Sequence, residues 1–247
     1  MNNNLNTTIE EKEKELKSLR QQKRNNQLLT LKDTELRDLK VGTRKDGKKY
    51  SVRSNRMRVF FPDEWMKFFD TLKPSQKITF DFLVNTGTRI QEAQNVEVGD
   101  IDWKRNTIII RVTKIKAVKG EKNPKPRTIV VSSQFIRRLK KYLTEKGLLS
   151  NNYEKIRLLS TPAAHICLKK VLKKINIKDW YMFSIHNIRK THGTYLNALG
   201  VSIGEICLRL GHDMNTFLKD YGSSDIYNYN DKKCMRLILG DLYQELK

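Results

Sequence analysis

Large apolar residues recur at helical spacing from Val59 onward, and the pattern gives way to β-branched runs at two places. In FPDEWMKFFDTL, Trp65, Phe68, Phe69 and Leu72 stand at i, i+3, i+4 and i+7, which predicts a helix with one buried face. Pro62 suits its first position, and Asp63 and Glu64 suit the positive end of its dipole. A second helix follows Ser75. Thr88 and Gln91 have capping-box spacing, which places Arg89 in the first turn of a third helix. Backbone N–H groups there favour an anion. The runs Thr107–Val112 and Thr128–Val131 flank a lysine-rich stretch with Gly120, Pro124 and Pro126, the pattern of a hairpin with a long basic tip. Helical spacing returns in Ser133–Lys146, with Phe135, Ile136, Leu139, Tyr142 and Leu143 on one face and a stop at Gly147. Thr161–Pro162 opens another helix, Ser184 is placed to cap one more, and Gly200 and Gly211 close two. In Cys234–Leu246, the residues Met235, Leu237, Ile238, Leu242 and Leu246 predict an amphipathic final helix. The expected fold class is mainly α with a small antiparallel β-sheet.

The first 57 residues follow a different pattern. Residues 9–40 carry dense charge around Ile9, Leu16, Leu19, Leu28, Leu31, Leu36 and Leu39, partly fitting a heptad seam. A helical extension over residues 1–40 is expected, a coiled coil, against the alternatives of a solitary charged helix or a disordered segment that orders on DNA. Residues 41–57 are basic, poor in apolar side chains and broken by Gly42 and Gly47, which reads as a linker. Residues 58–247 then form the packed domain.

Charge narrows the partner. Lys and Arg number 49 against 27 acidic residues, a formal net charge of +22. Such an excess repels itself in a compact chain and suits a polyanion, of which nucleic acid is the first candidate. No apolar run reaches the length of a spanning helix, and MNNNLNTT is unlike a signal peptide. Cys167, Cys207 and Cys234 are odd in number and lack C-x-x-C spacing, as expected of reduced thiols in an intracellular protein.

Five residues carry candidate chemistry: Arg89 in NTGTRIQEA, His186 and Arg189 in HNIRKTHGT, His212 in LGH, and Tyr221 nine residues later. Cleaving a phosphodiester calls for a nucleophile, cationic donors on the non-bridging oxygens, and an acid for the leaving oxygen. Two guanidinium groups suit the second task because each donates in a planar fork. His186 and Arg189 lie three apart on one predicted helix. Tyr221 is the candidate nucleophile, and with a free pKa near ~10 it needs a base or cationic surroundings. Tyr227 and Tyr229 are its rivals. His192 reads as structural or peripheral, His165 has no assigned role, and no metal site or cofactor is expected.

The ordered set resembles the tyrosine recombinases, the family of phage integrases, Xer proteins and Cre. TGTRIQEA looks like the family's TGLRISEL, with Arg89 as its first catalytic arginine and Glu92 at its acidic position. HNIRKTHGT looks like HDLRHTHAT, matching His186 and Arg189, and LRLGH supplies His212. The resemblance spans roughly residues 58–230. It implies the recombinase catalytic-domain fold with a short helical N-terminal extension. It also implies attack by Tyr221 that leaves a 3′-phosphotyrosyl link and a free 5′-hydroxyl, and four protomers exchanging strands between two double-stranded DNA duplexes. The final helix would then pack on its own domain or dock on the next protomer.

A hairpin lysine helps protonate the leaving oxygen in the family. IIIRVTK points to Lys114, whereas EKNPKPRTIVV read backward points to its rival Lys122. Lys116, Lys119, Lys122, Lys125, Arg127 and Lys190 are the expected DNA contacts, against the alternative of a solvated charge run. Two departures stand out. The family usually has a separate N-terminal clamp domain, whereas the 57 residues before the catalytic segment read as a helix and a linker, so the clamp is expected to be reduced or replaced by a different device. GSSDIYNYNDKK after Tyr221 also lacks the family pattern. The alternatives are a type IB topoisomerase-like nicking and closing enzyme, and a catalytically silent DNA-binding protein.

Overall fold

The computed structural model describes residues 40–43, 49–52, 58–111, 126–177, 180–212, 214–215, 217 and 227–243. The chain divides into two compact units, residues 1–55 and 56–247. The helix expected over residues 1–40 lies almost wholly outside the described residues. In the first unit, β1 (Lys40–Thr43) and β2 (Lys49–Val52) pair antiparallel with Gly42 opposite Tyr50. This ribbon differs from the linker expected over 41–57. Asp46–Gly47 between the two short runs is the sequence signal for it, masked by the lysines around them.

The second unit begins with α1 (Pro62–Thr71), which buries Trp65 and Phe68 as the periodicity predicts. Phe60, Trp65, Phe68, Phe80 and Phe183 form one aromatic cluster, with Phe60 and Phe183 centroids 4.5 Å apart and Phe68 edge-on to Phe80 at 4.9 Å. Full burial of each such ring contributes roughly 2–3 kcal/mol, and favourable ring pairing adds about 1 kcal/mol. α2 (Pro74–Thr86) is the central helix, and every residue from Ile78 to Thr86 is buried. It packs against α4 (Ser133–Glu145) and α6 (Ile185–Ala198). Because it is covered on all sides, its polar side chains need internal partners. Asp81 is gripped by Arg138 Nε and Nη2 at 2.7 and 2.9 Å, and also accepts from Asn85 Nδ2. Burial pushes the Asp81 carboxyl up, against the opposing pull of Arg138.

α3 (Ile90–Gln94) is a single short helix. After it comes a three-stranded antiparallel sheet ordered β3 (Ile101–Asp102), β4 (Thr107–Ile110), β5 (Arg127–Val130). The strand β3 is absent from the sequence reading because two residues are too few to show a period. Its turn is nonetheless encoded: Asp102 Oδ1 accepts from the N–H groups of Lys104 and Arg105, and Asn106 takes a left-handed φ of 53°. Ser132 caps α4 and Ser160 caps α5 (Thr161–Lys174), each hydroxyl accepting from the N–H three residues on. At α6 the capping differs from expectation. Ser184 is the cap residue, but Asn187 Oδ1 accepts from both the Ser184 N–H and its hydroxyl.

α7 (Ile203–Leu210) ends at Gly211 in the left-handed region, and α8 (Tyr229–Leu239) starts earlier than expected and stops at Gly240. Met235 and Leu239 of α8 are buried, and the helix packs on α1, α2 and α6 of its own unit. Cys167 and Cys207 are buried, Cys234 is half-buried and all three are free. Among the described residues no helix is long and apolar enough to cross a membrane. The fold is mainly helical with one small antiparallel sheet, as the residue pattern predicts.

Candidate active site

Glu92 is the centre of the site. It occupies the third position of α3, one turn after Arg89, and its side chain is buried. Glu92 Oε2 accepts from the Arg89 backbone N–H at 2.9 Å, and Oε1 accepts from Arg89 Nη1 at 2.8 Å. Arg89 is therefore the cap residue itself. The capping box is Arg89–Glu92, one residue beyond the expected Thr88–Gln91. Thr88 cannot serve because its hydroxyl faces inward, 2.9 Å from that of Thr86. The five-residue α3 offers little dipole for an anion, so the positive charge at this point comes from the guanidinium. Arg89's side chain is 51% exposed, so its fork is held at one end and open to solvent at the other.

Two further arginines converge on the same carboxylate. Arg127 Nη2 donates to Glu92 Oε2 at 2.7 Å, and Arg189 Nη1 lies 3.8 Å from that oxygen. Burial pushes the Glu92 carboxyl up. The hydrogen bond and charge of Arg127, the Arg89 N–H and the charge of Arg189 together outweigh it and hold the carboxyl below its ordinary range. Arg189, on α6, is 1% exposed. Its Nη1 donates to Gly87 O at 2.9 Å and its Nη2 to Leu210 O. One buried guanidinium thus joins the end of α2, before Arg89, to the end of α7, before His212. Gly87 has a left-handed φ of 64°, and a Cβ there would lie 2.4 Å from His192 Cδ2. Glycine is required by both the turn and the close approach.

His186 is exposed in the first turn of α6, while Arg189 one turn later is buried. Their spacing of three places them on neighbouring positions, but the packing gives them different depths. His212 is half-buried directly after Gly211, its ring stacked on Phe217 with centroids 6.4 Å apart. Lys190 is half-buried on α6. Tyr221 and the hairpin residues Lys114, Lys116, Lys119, Lys122 and Lys125 lie outside the described residues. Of the rival tyrosines, Tyr227 is 6% exposed and packed against Phe61 and Tyr195. Burial first, then the charges of Asp231 and Glu64, push its phenol far up. Tyr229 is 77% exposed at the first position of α8.

The sequence reading missed a network behind the site. His192 is fully buried, with Nδ1 2.6 Å from Val84 O and Nε2 accepting from Arg209 Nε at 2.8 Å. Since Nε2 accepts, Nδ1 carries the proton, and the ring is the neutral tautomer. Arg209 also donates to Val130 O at 2.6 Å and Asn85 O at 2.9 Å, tying α7 to β5 and α2. Nothing in LRLGH marks Arg209 as buried, since arginine is mostly a surface residue. The structural reading of His192 agrees with this geometry. Burial, then the Arg209 charge, hold His192 well below its ordinary pKa of 6.5. The unfolded chain therefore takes up this proton first. The His192 contribution is complete above about pH 6.5 and is lost as pH falls from there toward the folded value, by up to about 1.4 kcal/mol per unit. Urea midpoints at pH 7.5 and 5.5 should drop on acidification for the wild type and drop less for His192→Gln. Equal drops would remove His192 as the cause.

Among the described residues no cluster of three or more His, Cys, Asp or Glu could hold a metal ion.

Comparison with known proteins follows the same segments. The sequence model of the phage integrase family matches residues 58–226. The tyrosine recombinase XerA of Thermococcus onnurineus is 26% identical over 159 residues, 61% of this chain and 52% of the relative. The chain thus spans about half the length of that relative. The crystal structure of XerA recombinase superposes with a TM-score of 0.56 at 21% identity, covering 74% of this chain and 65% of that one. The Tn1549 transposon integrase, in complex with a circular intermediate DNA, gives 0.54 at 15% identity over 71% and 64% of the two chains. XerH bound to its difH substrate gives 0.51 at 18% identity over 76% and 59%. At these identities the structures show a shared fold, whereas the family match rests on the sequence itself over more than half the chain. The chain belongs to the phage integrase family of tyrosine recombinases.

Proposed function

We propose that this protein is a site-specific DNA recombinase that cuts and rejoins strands through a tyrosyl link. The observation that carries the reading is the convergence on Glu92. One buried carboxylate orients Arg89 and sits beside Arg189, two guanidinium groups about a hundred residues apart in sequence. Donors fixed before the reaction stabilise developing charge on phosphate oxygens without reorganisation. Removing one typically costs about a hundredfold or more in rate. The solvent-open end of Arg89 is the natural contact for a phosphate. Arg189, from its buried position, holds the two flanking motifs together.

In this scheme Tyr221 Oη attacks phosphorus, forming the O–P bond as the bond to the 5′-oxygen breaks. The phenolic proton passes to a neighbouring base, and the leaving oxygen takes a proton from the hairpin lysine, Lys114 or Lys122. His186 and His212 donate to the phosphate or shuttle protons. The link conserves the phosphodiester, so a 5′-hydroxyl from a second duplex reseals the strand. The positive charge is supplied by side chains, so the reaction needs neither metal nor cofactor. Lys116, Lys119, Lys125 and Lys190 contact the backbone of double-stranded DNA inside the cell. The active assembly is a tetramer on two duplexes, to which residues 1–40 contribute a helical extension.

The test is to trap the intermediate. Nicked duplexes that lose a short fragment after cleavage should leave an SDS-resistant adduct, and mass spectrometry should map it to Tyr221 at a 3′-phosphate. Tight DNA binding with no adduct on any tyrosine would defeat the reading in favour of a silent DNA-binding protein. Resealing that needs no second duplex would point to a nicking and closing enzyme.

A further inference from the structure

We propose that Arg127 is a positioning residue that sets the catalytic cluster, and not one of the phosphate contacts of the basic hairpin. This rests on the reading of the protein as a DNA-cleaving enzyme. Arg127 opens β5, directly after the lysine-rich tip, where its sequence context suggests a DNA contact. Its side chain is only 15% exposed. Nη2 and Nη1 reach the two Glu92 oxygens at 2.7 and 3.4 Å, and Nε donates to Arg209 O at 2.9 Å. Three of the five N–H groups that an arginine carries are thus directed at protein acceptors.

The positions of those acceptors give the contact its meaning. Glu92 orients Arg89 through both its backbone and its guanidinium. Arg209 lies three residues before His212, and a Cβ on Gly211 would come within 3.3 Å of Arg127 Nη1. One guanidinium therefore touches the element that holds Arg89 and the turn that holds His212. Its planar fork fixes their relative placement, which a single-point lysine could not do. The β-sheet is thereby linked to the catalytic spacing: a movement of β5 would shift Glu92 and the α7 terminus together.

The experiment uses the full chain with Arg127→Lys and Arg127→Ala, measuring cleavage of nicked duplex at saturating DNA alongside DNA affinity across a salt series. Displacing reacting groups by about an ångström costs up to a hundredfold. The expected result is a fall of about 10- to 100-fold in saturating cleavage, affinity within about twofold of wild type, and an unchanged salt slope. A phosphate contact would instead reduce the slope by about one and weaken binding to all sequences. Arg127→Lys keeps the charge and should recover only part of the rate. Combined with Glu92→Gln, either variant should be non-additive, because the two side chains act through one contact. Wild-type cleavage in the variants, or a lowered slope with a normal saturating rate, would overturn the inference while leaving the functional reading intact. If Arg127→Ala does not fold, Arg127→Lys decides between the same outcomes. No adduct from the wild type would overturn the functional reading, and this inference with it.

Discussion

Tyr221→Phe is expected to bind duplex DNA like the wild type and to form no covalent adduct. The substitution removes one oxygen and keeps the ring, so the arginines and basic surface proposed to hold DNA are unchanged. Loss of a nucleophile in covalent catalysis costs on the order of 10⁶ in rate, beyond detection in a trapping assay. The structure restricts the alternatives. Tyr227 has its hydroxyl buried and its phenol pushed far up by burial, so both access and ionisation oppose attack. Tyr229 is exposed at the start of α8 and is the remaining rival. Tyr229→Phe should therefore leave the adduct intact, and an adduct surviving in Tyr221→Phe but lost in Tyr229→Phe would transfer the role.

Glu92→Ala is expected to have the largest effect on stability of any single change at the site. It removes the one carboxylate shared by Arg89, Arg127 and Arg189 and leaves three cations facing one another. Removing one partner of a buried pair costs about 3–5 kcal/mol because the remaining charge is desolvated and unpaired. In a domain of this size that corresponds to a drop in Tm of roughly 10 °C. Glu92→Gln keeps an acceptor and should lose less stability while still losing cleavage. Since the folded carboxyl titrates below its ordinary value of 4.5, the stability from this cluster is complete above that pH. It should fade as pH falls through the lower, folded value. A melting series on both variants between pH 3 and pH 7 checks magnitude and sign. An unchanged Tm for Glu92→Ala would mean that the three arginines do not depend on it.

Most of the helices were legible because each carries its own signals: a Trp65–Leu72 face, a Pro62 or Pro162 near the start, a Gly147 or Gly211 stop. These are local interactions, and local interactions are what neighbouring residues in a sequence encode. The candidate catalytic residues on described elements were legible for another reason. Their order and spacing match a known family, and the residue types suit phosphoryl chemistry independently. What misled the reading was burial. Arg127 stands beside a lysine-rich tip and looks like surface; Arg209 sits between two leucines and has no distinguishing neighbours. The ribbon over 40–52 was hidden because each strand is only four residues long, too short for the alternation of Val41 with Thr43 or Tyr50 with Val52 to stand out among lysines and glycines.

The sequence alone determined the family, the mainly helical class and the types of side chain available for chemistry. Those follow from periodicity and capping residues, which are properties of near neighbours, and from motif order, which is read along the linear chain without the fold. Only the tertiary structure decided which charges meet. Arg89, Arg127 and Arg189 come from three separate elements, and their convergence on Glu92 depends on α2, α6, α7 and β5 packing around one point. Burial and hydrogen-bond partners are assigned by that packing, and the same arginine can be a surface contact or a brace depending on it. For these arginines depth in the fold is a long-range property, and no local pattern in the chain specifies it.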